Sequence, residues 1–230
     1  MSLDVDSLPL GGTRVKIDAS TGVAIHTLGM TDYVRCWRAM QSFTDARKPA
    51  TRDEIWLTEH PPVYTLGLAG RREHVRDTRG VPIVRVDRGG QVTYHGPGQL
   101  VVYLLFDLKR ARLGVRAMVR AIEVAVVEFL DSLGVSAYGK PAAPGVYVKC
   151  NGVEAKIAAL GLKVRNGCTY HGLALNVAMD LAPFAAIDPC GYPGLAVTSL
   201  ADLHVISRVE DAGAALAPKL AAHLKQVEPT

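Results

Sequence analysis

A thiol sits in a stretch whose backbone is fixed on one side and permissive on the other: Asp188-Pro189-Cys190-Gly191-Tyr192-Pro193-Gly194. Pro189 fixes its own φ and has no N–H, while Gly191 and Gly194 admit positive φ or close backbone approach. A cysteine held there is presented by geometry, and its thiolate is a nucleophile. Cysteine is also one of the residue types most often buried as a small hydrophobe, so the chemistry depends on what could lower its pKa. Lys156 is the candidate, because it opens an otherwise apolar run, Ile157-Ala158-Ala159-Leu160-Gly161-Leu162. An inward-facing lysine needs an anion or must lose its proton. A thiolate on Cys190 supplies that anion, and the ammonium in turn stabilises the thiolate. The alternative fate of Lys156 is a strand-end lysine that snorkels to water.

Two further polar sites stand out. His171 precedes Gly172 inside the strand predicted over Thr169 to Val177, and a glycine within a strand often marks close approach by a ligand or another chain. His171 reads as a base for Cys190, a donor that orients a ligand, or a satisfied core histidine. His95 lies in Arg88-Gly89-Gly90-Gln91-Val92-Thr93-Tyr94-His95-Gly96-Pro97-Gly98-Gln99. Four glycines there free backbone N–H groups to bind an acyl carbonyl or a phosphopantetheine amide; a glycine-rich β-corner would look the same. No Gly-Lys-Ser/Thr follows, and the next element is a strand and not a helix, so neither phosphate-binding glycine motif is present.

The elements that must position these residues can be traced along the chain. Residues 1–20 have no clear period and read as a loose arm, leaving 21–230 as a single domain. Val23 to His26 is a strand, and Thr31 is the expected cap of a helix carrying Tyr33, Val34, Trp37 and Met40. Ile55-Trp56-Leu57 begins a strand that Pro61-Pro62 breaks at a corner before Val63 to Leu66. Gly67 to Gly80, with Arg71, Arg72, Arg76 and Arg79, reads as a surface loop near a site. Ile83 to Val86 is a strand, and Leu100 to Leu108 is a strand buried on both faces. The spacing of Val115, Met118, Ile122, Val126 and Phe129 predicts the clearest helix, closed by Gly134. Asn151-Gly152 and Asn166-Gly167 predict tight turns in an antiparallel meander over 145–178. Val197 to Leu200 reads as a helical start. A Ser207-x-x-Glu210 capping box opens a terminal helix, kinked or split at Gly213 and Pro218.

Composition narrows the function classes. The chain has 230 residues, 49% apolar and 21% charged, which suits one α/β domain with a substantial core. A net charge of +4, without a basic run interleaved with aromatics, argues against nucleic acid as a partner. The cysteines at 36, 150, 168 and 190 form no C-x-x-C, which disfavours a zinc or dithiol site. No apolar run approaches the ~18 residues of a membrane span and no leader pattern opens the chain, so a soluble cytoplasmic protein without a membrane partner is expected.

Glu59-His60-Pro61-Pro62-Val63-Tyr64-Thr65-Leu66-Gly67, Arg88 to Gln99, Gly145 to Val148, Lys156 to Gly161, His171 to Asn176 and Pro189-Cys190-Gly191 resemble, in order and spacing, the bacterial lipoyl(octanoyl)transferases. The resemblance covers roughly residues 20 to 205. It implies an α+β catalytic domain like that of the biotin and lipoate protein ligases, with a mixed, largely antiparallel sheet packed with helices. It also implies transfer of octanoyl from octanoyl-acyl carrier protein to the lipoyl-domain lysine of 2-oxoacid dehydrogenase complexes and of the glycine cleavage H protein, the first step of endogenous protein lipoylation. By position, the nucleophile falls on Cys190 and the lysine that activates it on Lys156. Substrate contacts fall on Arg88, Gly89, Gly90, Gln91, Val92, Thr93, Tyr94 and His95, on Ala159, Leu160 and Gly161, and on Gly172, Leu173 and Ala174 beside His171. No cofactor or metal is implied, because the acyl group arrives activated as a thioester. The alkyl chain is expected near Leu160 and Leu173, and backbone N–H groups near Cys190 and Gly172 are candidates for the oxyanion hole. Rival readings are an ATP-dependent lipoate or biotin ligase, a cysteine hydrolase using Cys190 and His171, and a non-catalytic carrier-protein binding module.

Overall fold

The computed structural model describes residues 13–150, 152–188, 195–205 and 208–226. In chain order the elements are β1 (Arg14–Ile17), β2 (Ala24–Met30), α1 (Tyr33–Ala46), β3 (Glu54–Glu59), β4 (Val63–Leu66), β5 (Ile83–Arg85), β6 (Val92–His95) and β7 (Gln99–Leu105). They continue with α2 (Leu108–Ala111), α3 (Val115–Asp131), β8 (Ala137–Gly139), β9 (Gly145–Cys150), β10 (Val153–Arg165), β11 (Cys168–Asn176), β12 (Ala196–Val197) and α4 (Val209–Gln226). A nine-stranded sheet runs β1-β2-β3-β7-β11-β10-β9-β8, with β12 added beside β10, and a second sheet of order β5-β4-β6 stands apart from it. Of these pairings only β2 with β3, β10 with β12 and β4 with β5 are parallel, so the expected α+β fold with a mixed, largely antiparallel sheet is present.

Alternation along the central strands divides the large sheet into two environments. On one face Leu100, Val102, Leu104 and Leu175 pack with α3 (Met118, Ile122, Val126, Phe129) and α4 (Leu216, Leu220, Leu224). On the other, Val101, Tyr103, Leu105, Tyr170 and Ala174 pack with Cys36, Met40 and Phe43 of α1. Every residue of β7 and β11 is buried, as a strand covered on both faces requires. The small sheet has its own apolar cluster, Tyr64, Leu66, Val92 and Tyr94 against Phe184 and Ile187.

Several local expectations change. Part of the segment read as an arm is β1, paired antiparallel to β2; residues 1–12 lie outside the described residues. Asp32, and not Thr31, caps α1 by accepting from Arg35 N at 2.9 Å. The Thr31 hydroxyl is bonded instead to Thr58 Oγ1 at 2.8 Å. Val197 begins no helix. Ala196 and Val197 lie parallel to Ala155 and Lys156, and Thr198 N donates to Lys156 O at 3.1 Å, so the sheet edge takes the donors a helix would have used. Pro218 lies inside α4 without splitting it. The meander follows its prediction: Asn166 and Gly167 take φ of 56° and 82° between β10 and β11. Asn151 and Ser207 fall outside the described residues.

Candidate active site

A cleft lies on the α1-side face of the large sheet, floored by β10, β11 and β7 and roofed by β6 and the Arg88–Gln91 loop. With its mouth it encloses about 790 Å³. It gathers Arg88, Gly90, Gln91, Val92, Thr93 and His95 from the glycine-rich segment, Lys156, Ala159, Leu160 and Gly161 from β10, and His171, Gly172, Leu173 and Ala174 from β11. Two residues of the expected set stand behind it. Gly89 ties the loop to β10 through Gly89 N to Leu162 O at 2.9 Å. Tyr94 turns into the small sheet's core, against Tyr64 and Phe184. The side chains of Leu160 and Leu173 join the helix-side core, because alternation points Ala159 and Gly161, and Gly172 and Ala174, to the cleft instead. The apolar lining therefore comes from Val92, Val101, Ala159, Ala174, Phe184 and Val197.

Lys156 reaches the cleft because β10 is irregular beside it. Its register with β9 shifts between Lys156 and Ala158. Strict alternation from Ala159 would turn residue 157 to the cleft, but Ile157 is fully buried in the helix-side core. The bulge slips the pattern by one residue and delivers Lys156. The side chain is 4% exposed. Its Nζ lies 3.4 Å from Pro144 O and 5.0 Å from the centre of the Tyr147 ring, the residue opposite it on β9. A carbonyl and an aromatic face both favour an ammonium. The approach of this backbone depends on Gly145, at φ 144°, where an added Cβ would stand 3.0 Å from Lys156 Cε. Gly145 N donates to Glu123 Oε1 of α3 at 3.0 Å, which pins the segment from behind; burial raises the Glu123 carboxyl, against the pull of that bond.

The expected nucleophile, Cys190, lies outside the described residues. The chain on both sides of its segment is described. Ile187 forms a bridge with Val75, Asp188 N donates to His74 O at 3.1 Å, and the Asp188 carboxylate meets His74 and Arg76. On the other side β12 places Val197 beside Lys156.

His171 is turned to the cleft by a different device. Alternation would send residue 171 to the helix side, yet its φ is 61°, and its ring lies beside those of Tyr170 and Tyr103 on the α1 side. Histidine is among the few residue types that enter the left-handed region with any frequency. Asp87 holds it: Asp87 Oδ1 is 2.9 Å from His171 Nε2 and accepts from Trp37 Nε1 at 2.9 Å, while Oδ2 accepts from Tyr170 Oη and from Gln41 Nε2 at 3.2 Å. Burial raises the Asp87 carboxyl, but the bonds from His171, Tyr170 and Trp37 outweigh it and hold it far below the usual range. Burial lowers the His171 pKa despite that carboxylate, so the imidazole is neutral with its proton on Nε2. Its Nδ1 has no hydrogen-bond partner among the described residues.

The two polar residues lie at opposite ends. His171 pairs with Leu162, six residues along β10 from Lys156, roughly 15–20 Å of strand. Gly172, next to His171, pairs with Gly161 and Tyr103 at the same end of the cleft.

Beneath the Lys156 end runs a buried relay that the motif spacing did not predict. His95 Nδ1 donates to Gln99 Oε1 at 2.7 Å; Gln99 Nε2 donates to Asn176 Oδ1 at 3.0 Å; Asn176 Nδ2 donates to Thr198 O at 3.0 Å. His60 Nδ1 donates to Thr31 O at 2.7 Å, and His60 Nε2 accepts from Tyr103 Oη at 2.7 Å. Burial pushes His60 down to about 4 and His95 down to about 3, so both are neutral. Arg88 is 8% exposed, with Nη2 donating to Thr65 O at 2.7 Å and Oγ1 at 2.8 Å. Asp87 and Tyr147 also escaped the sequence reading. An acid directly before Arg88-Gly89-Gly90, and an aromatic in the strand that turns back onto Lys156, are the signals that could have found them.

The lipoyl protein ligase A/B catalytic-domain model matches residues 32–221. The octanoyltransferase of Nitrosospira multiformis is 54% identical over 210 residues, covering 91% of this chain and 96% of that protein. That of Chromobacterium violaceum is 55% identical over 206 residues, covering 90% and 98%. Among solved structures, a bipartite lipoate protein ligase from Thermoplasma acidophilum superposes with TM-score 0.70 at 19% identity, over 88% of this chain and 82% of its own. A biotin protein ligase from Aquifex aeolicus does so with TM-score 0.55 at 12% identity, over 88% and 70%, a likeness of fold. With its cleft framed by the same segments that carry the sequence resemblance, the chain belongs to the octanoyltransferase family within the lipoyl protein ligase A/B catalytic domains.

Proposed function

We propose that this protein transfers an octanoyl group from an acyl carrier protein to the lipoyl-domain lysine of lipoate-dependent enzymes, through a thioester on Cys190. The observation that carries the reading is Lys156: an ammonium taken out of water at one end of an apolar-lined cleft, with β12, the strand that follows the Cys190 segment, paired alongside it. Such a cation favours a thiolate. The thiolate attacks the donor's carbonyl carbon, the bond to the carrier's sulfur breaks, and the carrier thiolate leaves with a proton from the Lys156 ammonium. One thioester replaces another, so the step needs positioning more than driving force.

The acceptor amine then attacks the acyl-Cys190 carbonyl as a neutral nucleophile, and the bond to Cys190 sulfur breaks as the amide forms. The proton lost from nitrogen returns to Lys156, left neutral by the first step; His171 pairs with Leu162, six residues along β10 from it. ATP has no role, because the acyl group enters activated. The donor is octanoyl-acyl carrier protein, and the acceptors are lipoyl domains of 2-oxoacid dehydrogenase complexes and the glycine cleavage H protein.

The test is an intact-mass measurement. Incubation with octanoyl-carrier protein and no acceptor leaves one octanoyl group on the chain, absent in Cys190→Ser. A wild-type chain that stays unmodified, or a Cys190→Ser chain that still forms the amide, would overturn the reading.

A further inference from the structure

The cleft changes character along its length. From Lys156 it runs over Ala159, Ala174 and Val101, all apolar. It ends at Gly161 and Gly172, paired across β10 and β11, and there the wall becomes polar: the His171 imidazole fixed by Asp87, and the Arg88 segment lying over β10. Gly161 lets that segment approach so closely, since a Cβ there would stand 2.9 Å from Gly89 O and 3.2 Å from Arg88 Cδ.

We infer that the Asp87-held His171 is the end-stop that sets acyl-chain length at this site, a step that rests on the octanoyl-transfer reading above. Two lengths decide it. From Lys156 to Gly161 is five residues, roughly 13–16 Å of strand allowing for the bulge. An extended octanoyl chain spans about 8–9 Å from carbonyl carbon to methyl, taking about 1.2 Å per bond. A chain whose carbonyl lies by Lys156 therefore ends over Ala159 and Leu160, with the remaining space filled by the imidazole ring at the far wall. Decanoyl and dodecanoyl would extend further by about 2.5 and 5 Å. Their last methylenes would press against the ring. The ring cannot swing aside, because Nε2 is bonded to Asp87, and Asp87 is itself held by Trp37, Gln41 and Tyr170.

The experiment measures kcat/KM for hexanoyl-, octanoyl-, decanoyl- and dodecanoyl-carrier protein with the wild-type chain and with His171→Gly, which keeps the left-handed backbone accessible while removing the ring. The expected result is a dodecanoyl-to-octanoyl ratio at least about tenfold higher in the variant, the scale on which fit in an apolar pocket discriminates. His171→Asn, which also tolerates positive φ, is expected to shift the optimum to decanoyl and carries the test if the glycine variant does not fold. An unchanged length profile in a folded variant that still transfers octanoyl overturns the end-stop and leaves octanoyl transfer intact. Failure of the wild-type chain to transfer any acyl group overturns both.

Discussion

The two ends of the cleft solve the same problem by different means. Each must turn a polar side chain out of a strand whose alternation points elsewhere, and each breaks the pattern once: a bulge beside Lys156, a left-handed residue at His171. The surroundings then diverge. Lys156 lies against a carbonyl and an aromatic face. His171 is stripped of charge by burial and locked by a carboxylate that spends its own bonds on four donors. One end is arranged around a buried lysine, the other around a neutral ring that is held still. On the proposed reading, chemistry belongs to the first and dimension to the second.

The strongest way to break that division is Lys156→Ala. The expected result is a loss of acyl-enzyme formation by roughly a thousandfold, within the span of proton-transfer and nucleophile-activation effects. The titration midpoint of the Cys190 thiol, followed by alkylation rate against pH, should rise. An unmoved midpoint would remove Lys156 from the chemistry. A milder change at the other end is Asp87→Asn, which sets an amide donor among groups that donate to Asp87. Misplacing a buried polar group costs about 2 kcal/mol, or a melting temperature lower by roughly 4–8 °C. The thiol midpoint should stay where it was. If Asp87→Asn moves that midpoint as far as Lys156→Ala does, the two ends are not separate.

Much of this arrangement was legible in the sequence, and the exceptions share a cause. Apolar periodicity located α3, β7 and the meander, since burial on a known face imposes a fixed spacing. The motif residues converged on one cleft because they came from adjacent strands in a predictable meander. What could not be read was direction. Whether Leu160 or Ala159 faces the cleft depends on the register of β10, and the bulge at Lys156 resets that register without any glycine or proline to announce it. The orientation of His171 likewise rests on one dihedral angle. The run Val197 to Leu200 resembles a helix start until an unpaired edge of β10 offers its hydrogen bonds. Asp87 gains its importance only from Trp37, Gln41, Tyr170 and His171, which lie about fifty and eighty residues away along the chain.

Acid sharpens the comparison on the smallest scale. His95 and His60 lie buried and neutral, pushed down to about 3 and about 4 from an ordinary value of about 6.5 in the unfolded chain. As pH falls below about 6.5 the unfolded chain takes up protons that the folded one refuses. The stability these residues contribute is therefore complete above that pH and lost as pH falls toward their folded values. Each such histidine gives a slope of up to about 1.4 kcal/mol per pH unit across that window. Asp87 works in a lower window: its depressed carboxyl contributes stability above about 3.9 that is lost only as pH falls further. Between pH 6 and 4.5 the acid sensitivity thus belongs to the buried histidines and not to the Asp87 carboxylate. Urea unfolding across that range should show a slope that His95→Gln lowers by up to about 1.4 kcal/mol per pH unit, since glutamine does not titrate, and that Asp87→Asn does not lower, since loss of the carboxylate depresses His171 further. Parallel lines for wild type and His95→Gln would mean that His95 titrates alike in the folded and unfolded chain, and that the relay from His95 through Gln99 and Asn176 to Thr198 is open to protons.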